Sequence, residues 1–155
     1  MNRLLWTFTI LGLILIFNHC SSDDMCLSYQ HSMEVRLYSS TSKTDKDTAL
    51  IGLEIIGVGQ DSAWTTDTFG QNKFFLPLNF NTDTTSWVFK HKTRRDTIDV
   101  IYRKELNFVS GNCGFSQDIT IDTITHSISF IDSIDVAYPS IKYGENVENV
   151  KIYIY

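Results

Sequence analysis

The chain has 155 residues but only two prolines, eight glycines, three cysteines and four histidines. Each scarcity excludes something. So few glycines and prolines rule out a collagenous or low-complexity polymer. Three cysteines are too few for a disulfide-dense mini-scaffold, and the sparse histidines His31, His91 and His126 show no His-x-His or His-Glu-x-x-His spacing, so no metal site is expected. Positive charge is short as well, with 13 Lys and Arg against 18 Asp and Glu. A negative surface repels nucleic-acid phosphates, and a nucleic-acid partner is not expected. No Gly-x-Ser-x-Gly elbow and no phosphate-cradling glycine motif occurs, since Gly57-Val58-Gly59 lacks both the third glycine and a helix to follow. No amphipathic helical period stands out, and no cofactor is implied.

The first apolar run is also short. Met1-Asn2-Arg3 is a positive n-region and Leu4 to Phe17 an apolar stretch too brief for a comfortable membrane span, the layout of a secretory signal peptide. No Ala-x-Ala site follows. The run ends at Asn18-His19-Cys20, and a lone cysteine in that place resembles the bacterial lipobox, although His19 stands where a small residue is usual. The expectation is a signal peptide over residues 1–19, lipidation at Cys20, a tether over residues 20–30 and one domain over residues 31–155. An uncleaved signal anchor is the alternative. The acidic Ser21-Ser22-Asp23-Asp24 resembles the surface-export signal of Bacteroidota lipoproteins, or is simply a solvated tether. Removing residues 1–19 takes away Arg3 and leaves 12 basic and 18 acidic side chains, a net of −6.

With Cys20 lipidated, Cys26 and Cys113 remain as an even pair in an exported protein, which reads as a disulfide. It would pin the N-terminal segment to the centre of the fold. The rival reading is a thiol nucleophile at Gly111-Asn112-Cys113-Gly114, which needs a base beside it.

What the chain has in quantity is short alternating runs. Met33, Val35 and Leu37 share one face of residues 32–38, and Ile98, Val100 and Tyr102 share one face of residues 97–102. Further strands are predicted over residues 50–56, 74–78, 86–90 and 150–155, with residues 106–109 leading into the cysteine loop. A hairpin is predicted from residues 119–124 and 127–131 around Thr125-His126. Pro77 places its strand at an edge or a bulge. The sum is an all-β protein, an antiparallel β-sandwich of immunoglobulin-like type.

With those elements placed, the chain resembles a Bacteroidota lipoprotein family known as domain of unknown function 6452. The matching stretches are Cys20…Asp23-Asp24-Met25-Cys26, Val35-Arg36-Leu37-Tyr38, Leu76-Pro77-Leu78 with Asp83-Thr84-Thr85, and Asp96-Thr97-Ile98 on to Tyr102-Arg103. Val109-Ser110…Cys113-Gly114 and Val150-Lys151-Ile152 complete the set. The resemblance implies a lipid-anchored β domain and supports the pairing of Cys26 with Cys113. It implies no activity and no catalytic residues.

Other constellations carry two readings each. Lys90-His91-Lys92-Thr93-Arg94-Arg95 is a basic cluster that either docks an anionic partner or caps a solvated hairpin. Asp followed by Ser or Thr and an apolar residue recurs, as at Asp47-Thr48-Ala49 and Asp61-Ser62-Ala63. That pattern resembles an O-glycosylation acceptor, with Thr48 and Ser62 in predicted loops as the candidates, or is plain polar alternation. Acidic groups such as Asp45-Lys46-Asp47 and Asp118 to Asp122 do not make a calcium loop. Trp64, Phe69, Trp87, Tyr102, Tyr138, Tyr143, Tyr153 and Tyr155 either line a sugar-binding face or pack in the core and at sheet edges. The expected function is a non-enzymatic accessory or interaction module, lipid-anchored in the outer membrane on its periplasmic side or at the cell surface. Its partner would be an outer-membrane protein or a glycan. The alternatives are a surface carbohydrate-binding module and a thiol-dependent envelope enzyme.

Overall fold

The structure, a computed structural model, describes Cys26 and residues 32–155. The expected signal peptide, Cys20 and nearly all of the tether lie outside the described residues. Alternation of apolar and polar residues is realised as ten strands. They are β1 (Ser32–Ser39), β2 (Leu53–Gly57), β3 (Thr65–Thr66), β4 (Lys73–Pro77), β5 (Thr84–His91), β6 (Arg94–Ser110), β7 (Gly114–His126), β8 (Ile131–Val136), β9 (Ser140–Ile141) and β10 (Val150–Ile154). They form a four-stranded sheet ordered β4-β1-β10-β8 and a six-stranded sheet ordered β3-β2-β5-β6-β7-β9. The two-sheet sandwich is the one the alternation predicts. Its strand order differs from that of an immunoglobulin domain, because β5, β6 and β7 follow one another as a meander. One pairing departs from the antiparallel rule: β1 and β10 run parallel at the centre of the smaller sheet, Val35 opposite Val150 and Leu37 opposite Ile152.

Both sheets turn their apolar faces inward. Met33, Val35, Leu37, Phe74, Leu76 and Ile152 from one meet Leu53, Ile55, Phe89, Val100, Tyr102 and Ile119 from the other in one buried cluster. Pro77 closes β4 at the edge of its sheet, where a missing N–H costs no ladder bond. The basic run is the β5–β6 hairpin end, with Lys92 at a φ of 55° and Lys90 paired to Glu54 at 2.8 Å.

Three expectations are corrected. Residues 97–102 and 106–109 belong to one 17-residue strand, β6, which pairs with β7 almost to its tip. The cysteine loop is therefore the far end of the longest hairpin, and the disulfide pins the N-terminal segment there rather than to the centre of the fold. The hairpin predicted around Thr125-His126 does not form, since β7 and β8 lie in different sheets.

Asp96 is the reason for that crossing. Its side chain is 0 % exposed. One carboxylate oxygen accepts from the Ser127 hydroxyl and the Ser129 amide, both at 2.7 Å. The other accepts from the amides of Phe130 at 2.7 Å and Ile131 at 2.9 Å. These donors span the link between the sheets, so one side chain bends the chain out of the larger sheet and starts β8 in the smaller. Burial pushes the Asp96 carboxyl up, and the amides of Phe130 and Ile131, with Ser127 and Ser129, outweigh it and hold the group below its ordinary value.

Asp96→Asn puts an NH2 group where two of the four donors now point. It is expected to lower stability by about 3 kcal/mol, against under about 1 kcal/mol for Asp122→Asn in an exposed ion pair. Urea unfolding measures both. A folded carboxyl below the ordinary aspartate value contributes fully above that value and loses its contribution as pH falls through the folded one. The gap between wild type and Asp96→Asn therefore narrows below about pH 4.

Candidate functional site

In β1 the apolar set Met33, Val35 and Leu37 faces the core, so Glu34, Arg36 and Tyr38 stand on the outer face of the smaller sheet. Register sets Phe75 opposite Glu34 and Lys73 opposite Arg36 on one side. On the other it sets Lys151 opposite Arg36 and Tyr153 opposite Tyr38. The result is a connected polar band. Lys73 Nζ lies 2.8 Å from one Glu34 oxygen and Arg36 Nε 3.1 Å from the other. Arg36 also reaches Glu148 at 3.4 Å, and the Tyr38 hydroxyl donates to the same carboxylate at 3.0 Å. Lys151 and the Tyr153 hydroxyl converge on Asp45 at 2.6 and 2.8 Å. The Tyr38 and Tyr153 rings pack with centroids 5.8 Å apart.

The electrostatics follow from those contacts. Lys151 and Tyr153 hold the Asp45 carboxyl below its ordinary value, and Asp45 in turn raises both of theirs. Burial, then the hydrogen bond to Glu148, raises the Tyr38 phenol. The hydrogen bond to Glu34 raises the Arg36 guanidinium. Every one of these shifts favours the protonation state that the band uses, so it is a fixed pattern of charge at neutral pH.

At one end of the band lies a cleft of about 470 Å³ between β1, β4, the edge strand β9 and residues 144–149. Phe75, Ile141 and Val147 line it beside Glu34, Glu145 and Asn146. Asn149 is buried and braces it. Its side-chain oxygen accepts from the Glu34 amide at 2.9 Å, and its NH2 donates to the carbonyls of Tyr138 and Ser140 at 3.0 and 3.1 Å. One amide thus ties the smaller sheet to the edge of the larger. Apolar walls with a polar rim suit a short extended segment or a small ligand carrying an apolar group. Both oxygens of Glu34 face cations, which suits a structural charge better than a proton acceptor.

The residues singled out in the sequence are not brought together there. Cys26 and Cys113 are joined, so Cys113 offers no thiolate for nucleophilic attack. Cys20 lies outside the described residues. Thr48 is half-buried in the loop after β1, and Ser62 is exposed after β2. Trp87 is buried and Trp64 packs edge-on against it with centroids 6.3 Å apart, so the two do not form an open platform. Tyr102 is buried, its hydroxyl donating to the Asn79 carbonyl at 2.6 Å. His91 packs on Phe130, and His31 lies outside the described residues. Among the described residues no cluster of three His, Cys, Asp or Glu side chains is arranged to hold a metal ion. The band and cleft residues Glu34, Lys73, Glu148, Asn149 and Lys151 were not legible as a site. Their only signal is charge at the outward positions of β1 and β10.

The class of protein defined so far is a two-sheet β-sandwich, stapled at the tip of its longest hairpin, with a braced cleft at one end. The chain belongs to a family of unknown function (DUF6452), whose model matches residues 52–154. That span includes Leu76-Pro77-Leu78, Asp96 to Arg103, Val109 to Gly114 and Val150-Lys151-Ile152. The quoted N-terminal stretches precede it. No curated protein and no solved structure matches the chain.

Asn149→Ala removes three hydrogen bonds and leaves the Glu34 amide buried without its acceptor. A loss of about 2–3 kcal/mol is expected, against under about 1 kcal/mol for Val147→Ala on the cleft wall. Thermal and urea unfolding check the ranking.

Proposed function

We propose that this chain is a lipid-anchored module of a Bacteroidota envelope that binds a partner and does no chemistry of its own. The observation that carries the reading is the bond between Cys26 and Cys113, 87 positions apart. Structural disulfides persist in oxidising compartments, which supports export. The N-terminal layout supports the rest of the address. Arg3, the apolar run to Phe17 and Cys20 favour a diacylated cysteine after loss of residues 1–19, anchored in the outer membrane on its periplasmic side or at the cell surface.

Binding is supported by the cleft. Its apolar walls are open, while the charges on the adjoining sheet face are matched by neighbours, so a guest gains contact without having to displace a paired ion. A segment of an outer-membrane protein fits that description. A carbohydrate partner remains the second reading, resting on Trp64, which is 58 % exposed. The burial of Trp87 weighs against it. Of the O-glycosylation candidates, Ser62 is the more accessible and Thr48 the less.

Intact-mass analysis under non-reducing conditions, with and without alkylation, is expected to give a chain starting at Cys20, carrying lipid and no free thiol. A chain retaining residues 1–19, or one that alkylates, overturns the anchored and stapled reading. Cross-linking in native membranes with affinity purification is expected to recover an outer-membrane protein reproducibly. Recovery of the chain alone, with a positive glycan array, transfers the function to carbohydrate binding.

A further inference from the structure

The β6–β7 hairpin is longer than the sandwich needs. Cross-strand partners share a face, so Tyr102 and Ile121, Leu106 and Gln117, and Phe108 and Phe115 all project from the same side of the ribbon. Tyr102 and Ile121 are buried in the core, whereas Leu106, Phe108 and Phe115 are 69 %, 60 % and 65 % exposed. The ribbon has outrun the opposite sheet and carries its apolar face into the open. Phe108 and Phe115 pack edge to face with centroids 5.4 Å apart, so the exposed groups form a cluster. Residues 106–117 include no Lys, Arg, His, Asp or Glu, in a chain of which 20 % is charged. Behind this stretch Arg103 meets Asp122 at 2.8 Å, and Lys104 meets Asp83 at 2.9 Å and the carbonyls of Phe80 and Thr82, while the acids Glu105 and Asp118 stand opposite one another on the other face of the ribbon.

The staple decides what this tip faces. Cys113, at the tip, is bonded to Cys26, which is six positions from Cys20. At the maximum reach of an extended chain, a lipid on Cys20 keeps the tip within about 20 Å of the membrane surface. β6 has 17 residues and spans about 55 Å, so the Lys92-Thr93 turn at its start is held at the far end of the domain.

We propose that the hairpin tip is a membrane-docking surface, with Leu106, Phe108 and Phe115 seated at the headgroup–acyl boundary of the phospholipid leaflet that holds the lipid of Cys20. This rests on the lipid-anchored reading above. The lipid of Cys20 would hold the chain at one point only, and a second apolar contact beside that point adds buried area and fixes the domain's orientation. Aromatic side chains suit that boundary, and a tip without charged side chains buries no charge there. The staple turns a tether into a hinge of fixed position: the domain stands on its hairpin, its basic turn pointing away from the membrane. The cleft borders the hairpin through β9, where Ile141 pairs with Ile119 of β7, so it faces sideways, toward a partner in the same membrane, and not toward the tip.

The test uses the full lipidated protein in phosphatidylethanolamine–phosphatidylglycerol vesicles, with and without bromine on the acyl chains. Phe108→Trp reports on the tip and Ile51→Trp, two residues before β2 at the opposite end, on the control, each corrected for Trp64 and Trp87. Bromine quenching of the added tryptophan at 108 is expected to exceed that at 51 by about threefold or more. Equal quenching overturns the proposal, as does self-association that protects position 108 irrespective of bromine. In the double variant Cys26→Ser with Cys113→Ser the difference is expected to shrink to under about twofold, and a difference that persists overturns the part assigned to the staple. Intact mass on the same samples separates the two readings. An unlipidated Cys20 sinks the anchored reading, whereas lipidated protein with an unquenched position 108 sinks the docking surface alone.

Discussion

The architecture depends on one buried carboxylate. A sandwich must pass its chain from one layer to the other, and the crossing segment carries backbone amides that no ladder satisfies. Here Asp96 takes three of those amides and a serine hydroxyl at once. The crossing has further support in the backbone pairing of Ser127 with Thr97. Once the chain is turned there, β8 lies on the smaller sheet and offers its edge to β10, and β10 in turn lies between β8 and β1. The parallel pairing of the first and last strands is thus downstream of an aspartate in the middle of the sequence. Asp67 repeats the device on a smaller scale, its carboxylate taking the amides of Phe69, Gly70 and Gln71 where the chain approaches β4. Buried acceptors of this kind replace the repeating hydrogen bonds that irregular segments lack.

The outer face of the smaller sheet is a consequence of the same pairing. Lys73, Arg36 and Lys151 lie side by side across three strands, and three cations in a row are stable only with acids between them. Glu34, Glu148 and Asp45 supply the acids from β1, the loop before β10 and the loop after β1. The charges therefore brace the loops that flank the cleft, while Asn149 braces its floor. Rigidity of that sort lowers the entropy lost when a guest is bound.

Much of the fold was legible because its signal is local. A period of two in residues 32–38, 97–102 and 150–155 marks strands whose inward residues are those found buried, and Pro77 marks an edge. The failures were of longer range. Thr125-His126 reads as a turn because polar residues interrupt an apolar run, yet the decisive group, Asp96, lies some thirty residues upstream. The break read between Tyr102 and Leu106 is Arg103-Lys104-Glu105, polar residues that a strand tolerates when it leaves the core as a two-stranded ribbon. The candidate site was invisible for the same reason in stronger form. Glu34 and Asn149 are 115 positions apart, and only the parallel register of β1 and β10 makes them neighbours. Cysteine pairing was legible because arithmetic suffices for it, while the position of the bond at the rim needed the length of β6.

That position bears on why the hairpin is long. A two-stranded ribbon projecting from a sandwich is marginal by itself, since it has lost the opposing sheet that would bury one of its faces. Its backbone bonds cannot hold it against fraying at the tip. The disulfide ties the tip to a second segment of chain, the Tyr143 hydroxyl approaches Cys113 Sγ at 3.9 Å, and the Phe108–Phe115 pair closes one face. A projection needing such support adds nothing to the core that a shorter hairpin would not. What it does add is reach and direction, because the covalent path from the N-terminal segment enters the domain at the tip. Under the proposed lipid anchoring, length, staple and uncharged apolar cluster are parts of one device that sets where the sandwich stands relative to the membrane. The cleft, at the hairpin's flank and not at its end, is left free for whatever the domain is held in place to meet.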